Sequence, residues 1–417
     1  MVAEEMLSPY RVLDLSDEKG ALCGRILGDL GADVIKVERP GGDPQRSIGP
    51  FYGGVADPEK SLFWFAYNAN KRSITLDIES AEGRDIFQDL VRRADVVVES
   101  FPPGYMGSLG LDYPALSQIN QGLIMVAITP FGQSGPYRDY KGSDIVCTAM
   151  GGFLYMTGDP ARAPLQVSFP QAYLHAGSEA AVAALIALYH KGMTGHGQFV
   201  DVSIQHSVVP LTANAIPFWE MSGINLCRVG QLRGGVSLNI KQRQLWRCKD
   251  GFVNFWILGG GFGEKSNRAL ANWMEEEGMA DDFIRNIDWH SFDQSKVEPE
   301  IQKHLEEMVA NFLLRFPKAK LYEEAVKRSI SLGPVSNTKD IVENPQLEDR
   351  EYWVDVRHDE LKATVRYPGT FAKASPDTLL RIQHRAPLIG EHNREIYEQE
   401  MGLGKEQISR LKSANII

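Results

Sequence analysis

Apolar and polar positions along the first 200 residues follow two alternating regimes. Short apolar runs, RVLDL (11–15), ADVIKVE (32–38), SITLDI (73–78), ADVVVES (94–100) and LIMVAITPFG (123–132), read as strands. Between them, ALCGRILGDLGA (21–32) and AEGRDIFQDLVRRA (81–94) carry apolar residues at spacings of three and four, the period of a helix with one buried face. Glu82 falls early in the second stretch and Arg92 and Arg93 fall late, an order that suits the helix dipole. Strands alternating with helices predict an α/β fold with a parallel, Rossmann-like sheet.

Residues 172–192, AYLHAGSEAAVAALIALYHKG, are apolar on most sides, as expected of a helix buried between layers. The turn TGHGQ (194–198) ends it, FVDVSI (199–204) is a further strand, and 205–225 is again apolar and helical in pattern. The character then changes. Residues 241–258 read as a β-meander with a Lys249-Asp250-Gly251 turn, GGGFG (259–263) follows, and an acidic amphipathic helical region runs to about residue 330. The remainder contains a β-like KATVRYPG (362–369) and a closing helix, EQISRLKSANII (406–417). A chain of 417 residues exceeds what one core usually supports. The pattern divides it into a large α/β domain at 1–200, a linker at 201–227, a smaller α+β domain at 228–330 and a C-terminal segment at 331–417.

Forty-four Lys and Arg against 54 Asp and Glu give a net charge of −10. That balance argues against nucleic acid as the partner, since phosphate backbones need a basic surface, but it leaves room for a local pocket holding one small anion. No run of eighteen apolar residues is present, so no membrane-spanning segment is predicted, and the start MVAEEMLSPYRV is acidic and lacks a signal core. Cys23, Cys147, Cys227 and Cys248 are widely separated and form no CxxC pair, which predicts reduced thiols and a cytoplasmic protein. The nine His are scattered without HxH or HxxxH spacing, and no metal site is expected.

Eight blocks carry a family resemblance. They are RVLDLS (11–16), LGDLGADVIKVERPGGDPQR (27–46), NANKRSITLD (68–77), RADVVVESFPPG (93–104), LGLDY (109–113), ITPFGQSGPYRDYKGSD (128–144), TGHGQFVDVS (194–203) and APLIGEHNREI (386–396). In this order they resemble the family III CoA-transferases, the group of formyl-CoA and carnitine CoA-transferases. The resemblance implies a large domain built from both ends of the chain, a small domain from the middle, and a dimer whose chains interlock. It also implies CoA thioesters as substrates, no permanently bound cofactor, and an Asp that attacks the thioester to give a mixed anhydride.

That Asp is missing. Residues 166–178, QVSFPQAYLHAGS, hold no carboxylate, and Ala172 and Tyr173 stand where the resemblance places it. The nearest acid is Glu179, about two helical turns deeper, a candidate for a displaced nucleophile. His175 is an acid–base candidate of the kind used by racemases of the same superfamily, but the Asp half of that pair is absent, and a packing role is the simpler reading. The resemblance also implies CoA contacts by Arg39, Lys71 and Arg72, and by Lys141 in the GPYRDYKGSD loop. Gly259, Gly260 and Gly261 fall where family members carry a glycine loop over the reacting thioester. By the same resemblance, Pro102 in FPPG and Ser108 in YMGSLG stand where family members often carry cations near the phosphates.

The expectation is therefore the non-catalytic subunit of a heterodimer, working with a homologous chain that carries the Asp. The Asp-less segment is similar to that of two-subunit members that move CoA from succinyl-CoA to (R)-benzylsuccinate in anaerobic toluene breakdown. An active homodimer with an atypical nucleophile and a CoA-ester-binding protein without turnover remain as alternatives.

Overall fold

The computed structural model describes residues 6–234, 241–293, 296–375 and 380–417; the acidic residues 1–5 read above lie outside them. The chain divides into two compact units, Met1–Leu154 with Gln166–Ile224 and Gln346–Ile417, and Tyr155–Leu165 with Asn225–Pro345.

The first unit is built on six strands, β1 (Arg11–Asp14), β2 (Asp33–Glu38), β3 (Lys71–Thr75), β4 (Val96–Glu99), β5 (Ile124–Thr129) and β6 (Phe199–Ser203). Their order is β3-β2-β1-β4-β5-β6 and every pairing is parallel. The order reverses between β1 and β4, which opens a crevice at the carboxyl edge. Both faces of the sheet are covered. Val12, Val34, Val96 and Val126 pack on one side with α1 (Ala21–Asp29) and the long helix α4 (Gln171–Thr194), while Leu13, Ile35, Val97 and Met125 pack on the other with α2 (Ala81–Val91). A fourth helix of this unit, α3 (Asp144–Met150), precedes α4 in the chain.

α4 is long and apolar enough by length and composition to cross a membrane, yet half of its most apolar window is buried. Ala172, Ala176, Ala180, Ala184 and Ala187 lie in the core. The approach to α1 is close: a Cβ on Gly177 would come within 3.0 Å of the Leu22 Cβ.

The C-terminal segment closes the β3 edge. The Asn70 N–H donates to the His384 carbonyl at 3.1 Å, the His392 N–H to the Ser73 carbonyl at 2.9 Å, and the Asp77 N–H to the Ile416 carbonyl at 2.8 Å. The second unit holds a three-stranded antiparallel sheet of β7 (Leu245–Cys248), β8 (Gly251–Phe255) and β9 (Leu332–Pro334), with the turn at Lys249–Asp250. Its helices are α5 (Gly260–Glu276), α6 (Pro299–Leu313) and α7 (Lys318–Arg328), and its core is built around Trp246, Trp273 and Phe312.

The segment 201–227 is not a free connector. Asp201–Ser203 pairs with β5, and the helical residues after it stay in the first unit through Ile224. The second unit runs to Pro345 rather than 330, because β9 adds to β8.

Beneath α1 lies a layer of buried charge. Lys71 Nζ donates to Asp14 Oδ2 at 2.8 Å and to Asn68 Oδ1 at 2.9 Å, and Lys36 Nζ meets Asp43 Oδ2 at 2.9 Å as well as the Ser16 carbonyl. Burial pushes the Asp14 carboxyl up, but Lys71 and Lys36 outweigh burial and hold it below its ordinary value. Gly24 lets the helix approach this pair, since a Cβ there would fall 2.3 Å from Asp14 Oδ2. Lys71→Ala leaves Asp14 buried without its partner and is expected to cost about 3–5 kcal/mol. Urea unfolding checks this, and a smaller loss in the Lys71→Met/Asp14→Leu double variant would identify the unpaired charge as the cause.

Candidate active site

Two features meet at the carboxyl edge of the first unit's sheet: a cavity along the strand ends and the first turn of α4. The cavity encloses about 530 Å³ and is lined by residues that follow β1, β2, β3 and β4, among them Asp17, Lys19, Arg39, Asp77, Glu79 and Phe101. Its floor carries Glu38, which is buried and tied to Arg46 at 2.6 Å. Of the two cations on the lining, Lys19 is paired with Asp17, while Arg39 is exposed. Carboxylates therefore outnumber available cations here, an unfavourable setting for a phosphate-rich ligand.

Ala172 and Tyr173, which the family resemblance sets against the attacking Asp, open the first turn of α4. Tyr173 is buried in the first turn of α4 at 9 % exposure, beside Ala172 at 0 %. Burial first, and then the nearby Glu18 carboxylate, push the Tyr173 hydroxyl well above its ordinary value; Asp17 and Asp144 act in the same direction. The Glu18 carboxyl is itself raised, by burial and then by Asp17.

Asp144 holds this turn in place. The residue before α4 is Pro170, whose side chain caps nothing. Asp144 Oδ1, from the start of α3, accepts the Ala172 N–H at 2.8 Å and the Tyr173 N–H at 3.4 Å, and so caps α4 from another helix. Burial raises the Asp144 carboxyl, and these two amide donors pull it partly back. Cys147, one turn along α3, has its thiol pushed up to about 12 by burial and then by Asp144.

The remaining predicted residues fall in different places. Lys71 opens β3 at its amino end and is consumed by Asp14 inside the core, so it is not presented at the carboxyl edge. Arg72 is likewise at the amino end, bound to Asp33 at 2.6 Å and to Glu395 and Glu400. Lys71 and Arg72, expected as CoA contacts gathered at the carboxyl edge, therefore stand at the amino end of β3 and are held in ion pairs there. Lys141 is exposed in the loop before α3, near the stacked Tyr137 and Tyr140 rings.

Glu179 is exposed on α4, on a different face from buried Tyr173, and His175 is half-buried. Gly259 to Gly261 are not a free loop: they begin α5, with the Gly260 N–H donating to the Phe292 carbonyl at 2.9 Å. Glu99, at the end of β4, was not singled out from the sequence. It is 4 % exposed, its Oε2 accepts the Phe101 N–H at 2.7 Å, and burial pushes its carboxyl up to about 7.

The relatives fit this frame. The model of CoA-transferase family III matches residues 7–393. The chain belongs to the family III CoA-transferases. It is 35% identical over 396 residues to succinyl-CoA:(R)-benzylsuccinate CoA-transferase subunit BbsE of Thauera aromatica, covering 93% of each chain. It is 30% identical to the succinyl-CoA–L-malate CoA-transferase beta subunit of Chloroflexus aurantiacus, over 99% of this chain and 98% of that one. Among solved structures, a CAIB/BAIF family protein from Brucella suis is similar with a TM-score of 0.79 at 28% identity, over 94% of this chain and 98% of that one.

Family III CoA-transferases act on CoA thioesters as substrates and hold no permanent cofactor. Among the described residues no cluster of His, Cys, Asp and Glu is placed to hold a metal ion.

Asp144→Ala is expected to lower stability by about 1–2 kcal/mol, because it strips the side-chain cap that Asp144 gives the head of α4; Asp144→Asn should keep most of it, as read from urea midpoints. Glu99 has its folded value raised above the ordinary 4.5, so its contribution is present below that value and is lost as pH rises through about 7. The loss amounts to ~3 kcal/mol across that window. Thermal melts of Glu99→Gln against the parent between pH 5 and 8 should show a flatter dependence in the variant.

Proposed function

We propose that this chain is the subunit of a two-chain CoA-transferase that lacks the nucleophile, and that the complex moves CoA from succinyl-CoA to a dicarboxylic acid of the (R)-benzylsuccinate kind. The observation that carries the reading is Tyr173, buried and fixed where the family resemblance puts the attacking Asp. A phenol held protonated by burial and by three surrounding carboxylates cannot form an acyl anhydride. The shortage of free cations along the 530 Å³ cavity supports the same reading. The likeness to BbsE, a subunit whose enzyme uses succinyl-CoA and (R)-benzylsuccinate, supports the substrate pair. The likeness to a beta subunit that serves L-malate keeps the acceptor within the dicarboxylic acids.

In this reading the partner's Asp attacks the thioester carbonyl, CoA leaves as the thiolate, and an acyl-aspartyl anhydride forms. The thiolate then attacks the anhydride to leave an aspartyl-CoA thioester and release the first acid. The acceptor carboxylate displaces CoA again, and CoA finally returns to the acceptor's acyl group. This chain would supply the surroundings of that centre. Arg39 and Lys141, both in the first unit, are its proposed CoA cations; Gly259–Gly261, in the second unit, keep only the family's glycine-loop role as a proposal, since the Gly260 N–H is already given to the Phe292 carbonyl.

Native mass spectrometry of the tagged chain purified from its own host tests the reading. A one-to-one complex with a similar chain is the expected result. In that complex, succinyl-CoA followed by hydroxylamine should modify the partner alone. Hydroxylamine adducts on this chain, or full turnover by this chain without a partner, would sink the proposal.

A further inference from the structure

A second cavity in the first unit has the opposite character to the crevice at the strand ends. It encloses about 410 Å³. Its walls are α8 (Pro345–Asp349), the start of β10 (Trp353–His358) and, beyond the hairpin partner β11 (Ala363–Pro368), residues 369–374 and 380–382. The floor is apolar. Leu380 belongs to the core that α1 and α4 cover, while Val354 and Ile382 pack on the cluster around Trp64 and Tyr367.

The rim is basic. Arg350, Lys373 and Arg381 line the cavity against one acid, Glu351, on a chain whose net charge is −10. In the crevice the carboxylates outnumber the available cations; here the balance is reversed. Lys373 reaches Glu351 only at 3.5 Å, and the Arg350 guanidinium has no ion pair among the described residues. Two rings complete the lining. Tyr352 is half-buried in the wall, and Phe371 stands at the rim with 61 % of its surface in water.

This composition excludes two ordinary readings. A cavity holding only water would need polar partners on its floor, since a buried water takes about three hydrogen bonds. A mere packing gap gives no reason for an unpaired guanidinium and an exposed phenyl ring to border it together. A site for a small organic molecule has these properties: several hundred cubic ångströms, apolar walls, and a few charged groups that fix one end. The charge of the rim selects an anion, and the rings select an aromatic body for offset or edge-to-face contact.

We infer that this cavity is a second ligand site, separate from the thioester crevice, which takes a small aryl-substituted carboxylic acid with its ring packed on Tyr352 and Phe371 and its carboxylate at Arg350 and Lys373. Such a site is independent of whether the chain carries a nucleophile. It also adjoins the seal at the amino end of β3. Ile382 on the floor is followed by Gln383 and His384, whose N–H groups both donate to Asn70 Oδ1, at 2.8 and 3.1 Å. An acid bound on Ile382 therefore steadies that seal, and occupancy raises the melting temperature.

Isothermal titration calorimetry of the whole protein with hydrocinnamate tests the site. One equivalent per chain is expected, with a matching rise in melting temperature. Arg350→Glu alters a side chain that stands in water, so the fold is expected to survive, as circular dichroism can confirm. It should weaken binding by about tenfold or more, the value of a hydrogen bond to a charged group; Arg350→Lys should keep most of the affinity. Ile382→Trp, which fills the floor, should abolish binding, and Lys141→Ala, at the carboxyl edge, should leave it unchanged. Hydrocinnamamide, which has the body without the charge, and acetate, which has the charge without the body, should each bind about tenfold more weakly or worse.

No binding of hydrocinnamate at millimolar concentration, or binding that Arg350→Glu and Ile382→Trp leave intact, overturns the site. Loss of binding in Lys141→Ala alone would place the probe in the crevice and overturn it as well. Octanoate bound more tightly than hydrocinnamate would refute the aromatic ligand.

Discussion

The first unit depends on a layer of charge that has been taken out of water. Lys36 and Lys71 have no exposure to speak of, and each must find its counter-charge inside the sheet. Removing either partner alone is costly, so the pairs act as a registration device for β1, β2 and β3. The helix above can seat only because Gly24 offers no side chain to collide with Asp14. The same layer decides what the carboxyl edge can offer a ligand. Lys71 and Arg72 are spent on structure, and Arg46 is spent on Glu38 and Glu59. The cavity along the strand ends is left with Arg39 as its exposed cation and with several carboxylates.

A second dependence links α3 to α4. In most helices the cap comes from the residue just before the first turn. Here Pro170 cannot serve, and Asp144 acts from 28 residues away. A carboxylate committed to two amide donors is a poor nucleophile. Its place beside the first turn of α4 thus explains how that helix keeps its start. Asp17, Glu18 and Asp144 would also raise the affinity for protons of any acid placed at Tyr173.

Much of this was legible in the chain. The apolar runs mark all six parallel strands to within a few residues, and the Ala-rich helix written as 172–192 spans 171–194. Local pattern suffices for these because each buries a continuous apolar stripe. What failed was anything set by distant partners. Lys71 looks like a surface cation in NANKRS, and only the fold shows that it lies 2.8 Å from Asp14 in another strand. GGGFG looks like a loop, yet Gly260 at φ +63 gives the chain its turn into α5, and the residues after it are helical. Asp144 could have been suspected from its place after Gly142-Ser143 at a helix start, but nothing local names the second helix it caps.

The seal along β3 has a consequence for how the protein is made. Asn70 bonds to a residue 314 positions later in the chain. During synthesis at roughly 5–20 residues per second, that edge stays bare for tens of seconds after the strand itself has left the ribosome. Throughout that interval a half-built parallel sheet carries open hydrogen-bonding rims on both flanks. The segment around 384–416 ends the exposure on one side. For this chain the β3 edge is completed only after the segment around 384–416 has been made, and a nascent chain that stalls before it would be left with a template for aggregation.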